Sequence, residues 1–238
     1  MCTVTFVPTI EGFVFTSNRD EDPKRAAHNI VEDQRGDISV YFPRDEGASG
    51  TWFAYSNADQ FACVLNGAFE LHQRKEFYTM SRGIMALAYF DYATIDEFIN
   101  EFNFEGMEPF TLILFNKGDF KELKWDEVEL HVRMLSIQDI HLWSSATLYN
   151  HDWWIDRSVN FKEFVARQQP DQVGIMHYHK TVLPFVSEAL QALLGSPAPL
   201  TNLPVKTTSV SSLEKTAQGY KFHFHRTDDK VKLYKSTY

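Results

Sequence analysis

The sequence is poor in the features that mark secreted, disulfide-bonded and membrane-spanning proteins. It has two cysteines and no N-x-Ser/Thr glycosylation site in 238 residues, a composition that suits a reducing compartment. No basic stretch followed by an apolar one opens the chain. The longest apolar runs, such as residues 83–90, are far shorter than the ~18 residues that a membrane helix needs. These absences predict a cytoplasmic protein with no transmembrane segment.

Positive charge is also scarce. The 23 lysines and arginines are outnumbered by 32 aspartates and glutamates, which gives a formal net charge of −9. No run of basic residues interrupts this balance, so a nucleic-acid partner is disfavoured. A hydrophobic fraction of 44% is ordinary for a globular protein, and a chain of this length buries a large core. Because no repeat or shift in composition divides the chain, we predict a single domain over residues 1–238.

The common catalytic signatures are missing as well. The sequence contains no G-x-S-x-G, G-x-x-x-x-G-K, G-x-G-x-x-G or H-E-x-x-H pattern, so lipase-like, nucleotide-binding and zinc-protease functions lack support. Two His-x-His pairs, His177/His179 and His223/His225, each supply only two of the ligands that a tetrahedral metal site needs. We therefore predict no metal and no cofactor.

The order of predicted elements favours an α+β fold. Strand-like runs at residues 3–7 and 12–17 flank a turn, and further strands are expected at 38–42, 50–56, 61–65, 110–115, 121–125, 128–135, 141–148, 205–213 and 220–225. Helical periodicity covers 81–92, 94–102, 153–167 and 172–194. The polar segment 18–24 is expected to be a loop. Strands followed by helices and then strands again indicate layered antiparallel sheets.

Cys2 is distinguished by its position. Because the residue after the initiator is small, removal of Met1 would leave one residue with both a thiol and a free α-amine. The unperturbed pKa of such an amine is about 7.7–8.0, which suits a general base near neutral pH. It would take the thiol proton directly or through a water molecule. The alternative for Cys2 is an incidental cysteine in a frayed terminus. The second cysteine, Cys63, is expected to be an inert core residue.

Two features around Cys2 favour the catalytic alternative. The strand at residues 3–7 ties the terminus into a sheet, and its hairpin partner returns residues 18–22 to the neighbourhood of Cys2. The positive charge of Arg19 would lower the pKa of a nearby thiol. Asp20, or one of its neighbours Glu21 and Asp22, would hold and orient the α-ammonium. Which of the three acidic residues does so is left open.

These motifs resemble the NRDE family, also called the transport-and-Golgi-organisation-2 family. The resemblance is carried by Met1-Cys2 opening a strand and by the tetrad Asn18-Arg19-Asp20-Glu21. It extends to G-T-W at 50–52, S-R-G at 81–83 and the closing hairpin. The resemblance implies an N-terminal-nucleophile (Ntn) hydrolase-like fold, a four-layer αββα sandwich with two antiparallel sheets.

A more distant similarity links these residues to the choloylglycine and penicillin V acylase group, in which the N-terminal cysteine attacks an amide. In that group an asparagine contributes to the oxyanion hole. Asn66 is the best candidate for this role, although Asn66-Gly67 is also a common turn dipeptide. Ser145 stands where the family usually has an asparagine, so a second oxyanion donor is either absent or replaced by a hydroxyl.

The preferred hypothesis is thus a cytoplasmic amidohydrolase for a small amide or acyl substrate. Cys2 would be the nucleophile, Arg19 and Asp20 its organisers, and Asn66 the oxyanion donor, with Asn18, Glu21, Asp22 and Ser145 as further site candidates. The alternative is a non-catalytic carrier of haem or another hydrophobic ligand on the same fold. The substrate and the oligomeric state are left open.

Overall fold

The computed structural model describes residues 2–147, 151–183, 205–228 and 234–237, and for Cys2, residues 151–153 and residues 234–237 it describes the backbone. The chain divides into two compact units, one formed from residues 1–26 and 138–238 and the other from residues 27–137. The single domain over residues 1–238 stays a prediction.

The strands in chain order are β1 (Cys2–Pro8), β2 (Phe13–Glu21), β3 (Ile30–Arg35), β4 (Ile38–Pro43), β5 (Phe53–Ser56), β6 (Gln60–Asn66), β7 (Phe110–Asn116), β8 (Asp119–Trp125), β9 (Leu130–Met134), β10 (His141–Ser144), β11 (Lys206–Thr216), β12 (Gly219–Arg226) and β13 (Tyr234–Thr237). The helices are α1 (Arg82–Ala88), α2 (Ile95–Glu101), α3 (His151–Gln168) and α4 (Gln172–Thr181).

The first unit is built on a six-stranded antiparallel sheet with the order β10-β1-β2-β11-β12-β13. The hairpin between β1 and β2 turns where the amide of Thr9 donates to the carbonyl of Gly12. Helices α3 and α4 cover one face of this sheet with an apolar core of Val7, Val14, Leu142, Phe161, Val165, Ile175, Tyr178 and Leu183. The helical prediction for 172–194 is confirmed over α4, and residues 184–194 lie outside the described residues.

The loop predicted for residues 18–24 is wrong for its first four residues. Strand β2 continues through Glu21, because its backbone is paired on both sides, with β1 and with β11. Polar side chains here indicated a loop, but every residue of β2 is buried. Buried polar groups need hydrogen-bond partners, and α4 and β11 supply them to Asn18 and Asp20. The tetrad at 18–21 therefore lies in the middle of a sheet.

The second unit contains a seven-stranded antiparallel sheet with the order β3-β4-β5-β6-β7-β8-β9. Helices α1 and α2 pack against it through a core rich in aromatic residues, among them Phe90, Phe98, Phe104 and Phe110. Thr94 caps α2, since its Oγ1 accepts from the amide of Glu97 at 3.0 Å, as the sequence pattern predicts. Strand β3, which the sequence pattern missed, alternates half-buried and exposed residues at one edge of the sheet.

Two glycine-containing motifs of the second unit meet where α1 begins. A Cβ at Gly50 would lie 2.6 Å from the carbonyl carbon of Gly83, and one at Gly83 would lie 2.8 Å from the carbonyl oxygen of Thr51. The amide of Thr51 donates to the carbonyl of Gly83 at 3.3 Å. This backbone contact explains why G-T-W and S-R-G both need glycine. Within the described ranges, no helix is long and apolar enough to cross a membrane.

Candidate active site

The amino-terminal strand places Cys2 opposite Arg19. In the antiparallel pairing of β1 with β2, Cys2 is the register partner of Arg19 and Thr3 is that of Asn18. On the other side of β1, Thr3 is paired with Ser144, so the next residue, Ser145, continues the register towards Cys2. Ser145 is fully buried. The fold therefore places Cys2 opposite Arg19 in one sheet, and Ser145 directly follows the last residue of β10 on the other side of β1.

The tetrad is divided between the two faces of β2, because successive side chains of a strand point to opposite faces. Asn18 and Asp20 lie on the face covered by α3 and α4, where Asn18 contacts His179. Arg19 and Glu21 lie on the other face and form an ion pair with a nitrogen–oxygen distance of 3.3 Å. Glu21 also pairs with Arg25 at 3.3 Å. The four consecutive residues of the tetrad thus lie alternately on two faces of the sheet with different surroundings.

Asp20 is a fully buried carboxylate with one oxygen that lacks a hydrogen bond. Thr207 of β11 donates to its Oδ1 at 2.6 Å, whereas Oδ2 has no hydrogen-bond partner among the described residues. Burial raises the pKa of Asp20 to about 6, an effect that the bond from Thr207 partly offsets. A buried oxygen of this kind is costly unless a donor satisfies it. Oδ2 of Asp20 is therefore available to accept a hydrogen bond from a further donor.

The other two acidic candidates are engaged elsewhere. Glu21 is shared by Arg19 and Arg25, and positive charges around it keep its pKa below the usual value although burial alone would raise it. Asp22 caps the short helical turn Pro23–Arg25, since its Oδ1 accepts from the amide of Lys24 at 2.9 Å. Among the three acidic residues, Asp20 is the one with a buried oxygen that lacks a hydrogen-bond partner in the described part of the chain.

Asn18 anchors β2 to α4. Its amide nitrogen donates to the backbone carbonyls of His179 at 3.1 Å and Leu183 at 3.3 Å, so its Oδ1 is the acceptor in the 2.8 Å bond with Nδ1 of His179. Nε2 of His179 then accepts from the hydroxyl of Thr5 in β1 at 2.8 Å. This buried, neutral histidine therefore connects the two strands that carry Cys2 and Arg19, and Asn18 has a structural role.

Sequence reasoning missed His179 as a partner of Asn18 and Arg157 as a partner of β1. Arg157 of α3 donates to the hydroxyl of Thr3 at 3.1 Å and to the carbonyl of Leu183 at 2.7 Å. Both residues lie more than 130 positions along the chain from the strands that they contact. A helical arginine and a His-x-His pair carry no local signal of such contacts.

The remaining candidates lie on other strands. Asn66 ends β6 in the second unit, and Gly67 after it adopts a positive φ of 80°, which is the conformation expected of a glycine in a turn. Cys63 is fully buried in the same strand. His223 and His225 lie in β12. In the part of the chain that the structure describes, no three His, Cys, Asp or Glu residues are grouped as metal ligands would be.

Two buried titratable groups, His179 and Asp20, are expected to change the stability of the fold with pH in opposite directions. Burial, reinforced by the charge of Arg157, lowers the pKa of His179 from 6.5 to about 3, so its contribution is present above pH 6.5 and is lost as the pH falls. The pKa of Asp20 is raised from 3.8 to about 6, so the folded state binds a proton at a higher pH than the unfolded state does. The stability of the fold therefore increases as the pH falls from about 6 towards 3.8. Each group contributes at most about 1.4 kcal/mol per pH unit.

Between pH 6 and 4 the two effects nearly cancel in the unmodified chain. We therefore expect Asp20→Asn to lose stability and His179→Gln to gain stability as the pH falls through this range, each relative to its own value at pH 7. Urea unfolding at half-unit pH intervals measures both slopes. Equal slopes in the two variants would contradict the assignment of these buried groups.

Residues 1–188 match the family described as Transport and Golgi organisation 2. The chain belongs to the Transport and Golgi organisation 2 family. The resemblance that the N-terminal motifs suggested is thereby confirmed. A comparison of the sequence with those of curated proteins gives no significant match.

Three solved structures similar to this family member are of hydrolases. A cysteine-to-alanine variant of the conjugated bile acid hydrolase from Clostridium perfringens superposes with a TM-score of 0.61 at 8% identity, over 100% of this chain and 97% of that one. An arginine-to-leucine variant of the same enzyme gives 0.63 at 9%, over 99% and 97%. The Caenorhabditis elegans orthologue of N-acylethanolamine-hydrolyzing acid amidase gives 0.54 at 14%, over 89% and 92%. These likenesses confirm the α+β, Ntn-hydrolase-like fold class.

Proposed function

We propose that this chain is an amidohydrolase whose nucleophile is the thiol of Cys2 and whose general base is the α-amine exposed by removal of Met1. The observation that carries the proposal is the register of β1 with β2. It sets Cys2 opposite Arg19 and one residue from the strand position of Asp20. A guanidinium beside a thiol lowers the pKa of that thiol. The tetrad thus supports an activated thiolate at the start of the chain.

The reaction would proceed through a thioester. The amine takes the thiol proton, the sulfur attacks the substrate carbonyl, and the tetrahedral intermediate collapses with cleavage of the C–N bond. The ammonium returns its proton to the leaving nitrogen, and the product amine departs. Water, deprotonated by the same amine, then cleaves the thioester, which releases a carboxylic acid and restores the thiol.

Two groups would stabilise charge during these steps. Oδ2 of Asp20 lacks a hydrogen bond among the described residues and would accept one from the ammonium that forms when the amine takes the thiol proton. We propose Asn66 as the donor to the oxyanion, and Ser145 as a second donor through its hydroxyl. Removal of one such donor typically slows turnover by a hundredfold or more.

The similar structures support the class of substrate. One is named as a hydrolase of conjugated bile acids and another as an amidase of N-acylethanolamines. We propose that this chain likewise acts on a small acyl amide, in the cytoplasm, where the two cysteine thiols remain reduced. Among the described residues, no contact specifically favours the haem-carrier alternative.

Thiol alkylation tests the activated nucleophile. We expect Cys2 in the folded, processed chain to react with iodoacetamide at neutral pH faster than Cys2 in the urea-denatured chain, because Arg19 lowers its pKa. Arg19→Ala should slow this reaction roughly tenfold, since a nearby opposite charge shifts a pKa by about one unit or more. Rates measured by peptide mass spectrometry between pH 5 and 9 give the pKa directly.

The matched control is Arg25→Ala. Arg25 pairs with the same carboxylate of Glu21 but lies outside the strand register of Cys2, so its removal should leave the rate at Cys2 unchanged. An Arg19→Ala variant that alkylates as fast as the unmodified chain would contradict the proposal. Buried Cys63 provides the internal reference for folding in every sample.

A further inference from the structure

Strand β11 contains a β-bulge directly opposite Asp20. Its pairing with β2 is regular from the hairpin end up to Ser209, which is opposite Arg19, but the register then shifts so that Thr207 is opposite Asp20. Thr208 is therefore the extra residue of the bulge. Bulges change the direction in which neighbouring side chains point, and they are frequent next to active sites.

The bulge is fixed by hydrogen bonds on both sides. Towards β2, the hydroxyl of Thr208 donates to the carbonyl of Arg19 at 3.1 Å. Just after the end of β12, the hydroxyl of Thr227 donates to the carbonyl of Thr207 at 2.7 Å and also lies 3.1 Å from the carbonyl oxygen of Thr208. The amide of Thr227 donates to that second carbonyl at 3.0 Å. The backbone at Thr207 is thus held in one position.

The side chain that the bulge directs at Asp20 is the hydroxyl of Thr207. It donates to Oδ1 of Asp20 at 2.6 Å, a length typical of a bond from a hydroxyl to a carboxylate anion. Burial raises the pKa of Asp20, whereas this bond lowers it, and the charges of the amino terminus, Arg157 and Arg19 act in the same direction as the bond. Among the described residues, Thr207 is the one that donates a hydrogen bond to this carboxylate.

From this geometry we propose that Thr207 is a positioning residue of the hydrolase, because its hydroxyl holds Oδ1 of Asp20 as an anion and leaves Oδ2 for the ammonium of Cys2. Thr207 acts through Asp20 and does not touch the substrate. The bulge supplies the aim, since it sets the hydroxyl against the carboxylate at a fixed point of the sheet. The inference rests on the proposed function for the role of the ammonium.

The first test follows the titration of Asp20 without any substrate. The full-length chain is labelled with aspartate that carries carbon-13 at Cγ, and the signal of Asp20 is the one absent from Asp20→Asn. We expect Thr207→Val, which removes the hydroxyl but keeps the shape, to move the midpoint of this titration upwards by about one pH unit. Thr207→Ala should give the same shift, and Thr207→Ser should restore the midpoint of the unmodified chain.

The second test is the pH dependence of turnover. A midpoint that moves from about 6 to about 7 lowers the ionised fraction of Asp20 about fivefold at pH 6 and very little at pH 8. In Thr207→Val the ratio of kcat/KM at pH 6 to that at pH 8 should therefore be about fivefold smaller than in the unmodified chain. A loss that is merely structural would affect both pH values alike and would leave this ratio unchanged.

The matched control is Thr16→Val. The hydroxyls of Thr16 and Ser212 form a buried 2.8 Å hydrogen bond between the same two strands, on the same face as Asp20. This variant should lose stability in urea but keep both the midpoint of Asp20 and the pH ratio.

An unmoved midpoint in Thr207→Val, an equal shift in Thr16→Val, or a moved midpoint with an unchanged pH ratio would overturn the role of Thr207. Failure of the hydrolase proposal has a separate signature, which is the absence of turnover in the unmodified chain while Thr207→Val still moves the titration of Asp20.

Discussion

Replacement of Cys2 with alanine is expected to reduce hydrolysis of every acyl amide substrate by about a thousandfold or more. The variant lacks the sulfur that forms the thioester, and removal of a nucleophile in comparable enzymes removes nearly all catalysis. Cys2→Ser should retain slight turnover, because a hydroxyl is a much weaker nucleophile than a thiolate. Initial rates on a panel of N-acyl amino acids and acyl amides provide the measurement.

The appropriate control for this loss is Cys63→Ala. Cys63 is the buried thiol of β6 in the second unit, and its replacement should leave turnover within about twofold of the unmodified chain. Full activity in Cys2→Ala would show that Cys2 is not the nucleophile. Absence of turnover by the unmodified, processed chain across the whole panel would favour the carrier alternative.

Blocking the α-amine should also greatly reduce turnover. A chain that begins with an additional glycine before Cys2 keeps the thiol but places an amide where the base should be. General-base catalysis typically contributes a factor of 10²–10⁴, so we expect kcat to fall at least about a hundredfold. The reference is a chain cut from the same fusion protein so that it begins at Cys2.

The pH profile separates this effect from a distorted fold. In the chain that begins at Cys2, kcat/KM should rise with an apparent pKa near that of the amine, and this limb should be lost in the glycine-extended chain. Intact mass identifies the terminus of each sample, and circular dichroism verifies that both are folded. Comparable kcat values for the two chains would contradict the amine as base.

The hairpin that juxtaposes Cys2 and Arg19 was predictable because both partners lie within 20 residues of one another. Local patterns of β-branched and aromatic residues define β1 and most of β2, and a short turn leaves little choice of register. The position of Cys2 after the initiator indicated the cysteine chemistry, and the family motif supported it. The specific pairing of Cys2 with Arg19 follows from these local features.

The environment of the tetrad was not predictable in the same way. Asn18, Arg19 and Asp20 are polar, so the local pattern indicated a loop, whereas long-range pairing with β11 and α4 buries them. Single-sequence patterns contain no information on contacts across 160 or more residues, such as that between Asn18 and His179.

The most direct test of the central claim is to locate the acyl group that the chain carries after reaction with an acylating reagent. A long-chain β-lactone retains its leaving group after ring opening, so the acylated enzyme gains the full mass of the reagent. We predict one adduct per chain, on the peptide that begins at Cys2 after loss of Met1, and a loss of turnover in proportion to labelling. An adduct on Cys63, full labelling of Cys2 with turnover retained, or full activity in chains that keep Met1 would contradict the account.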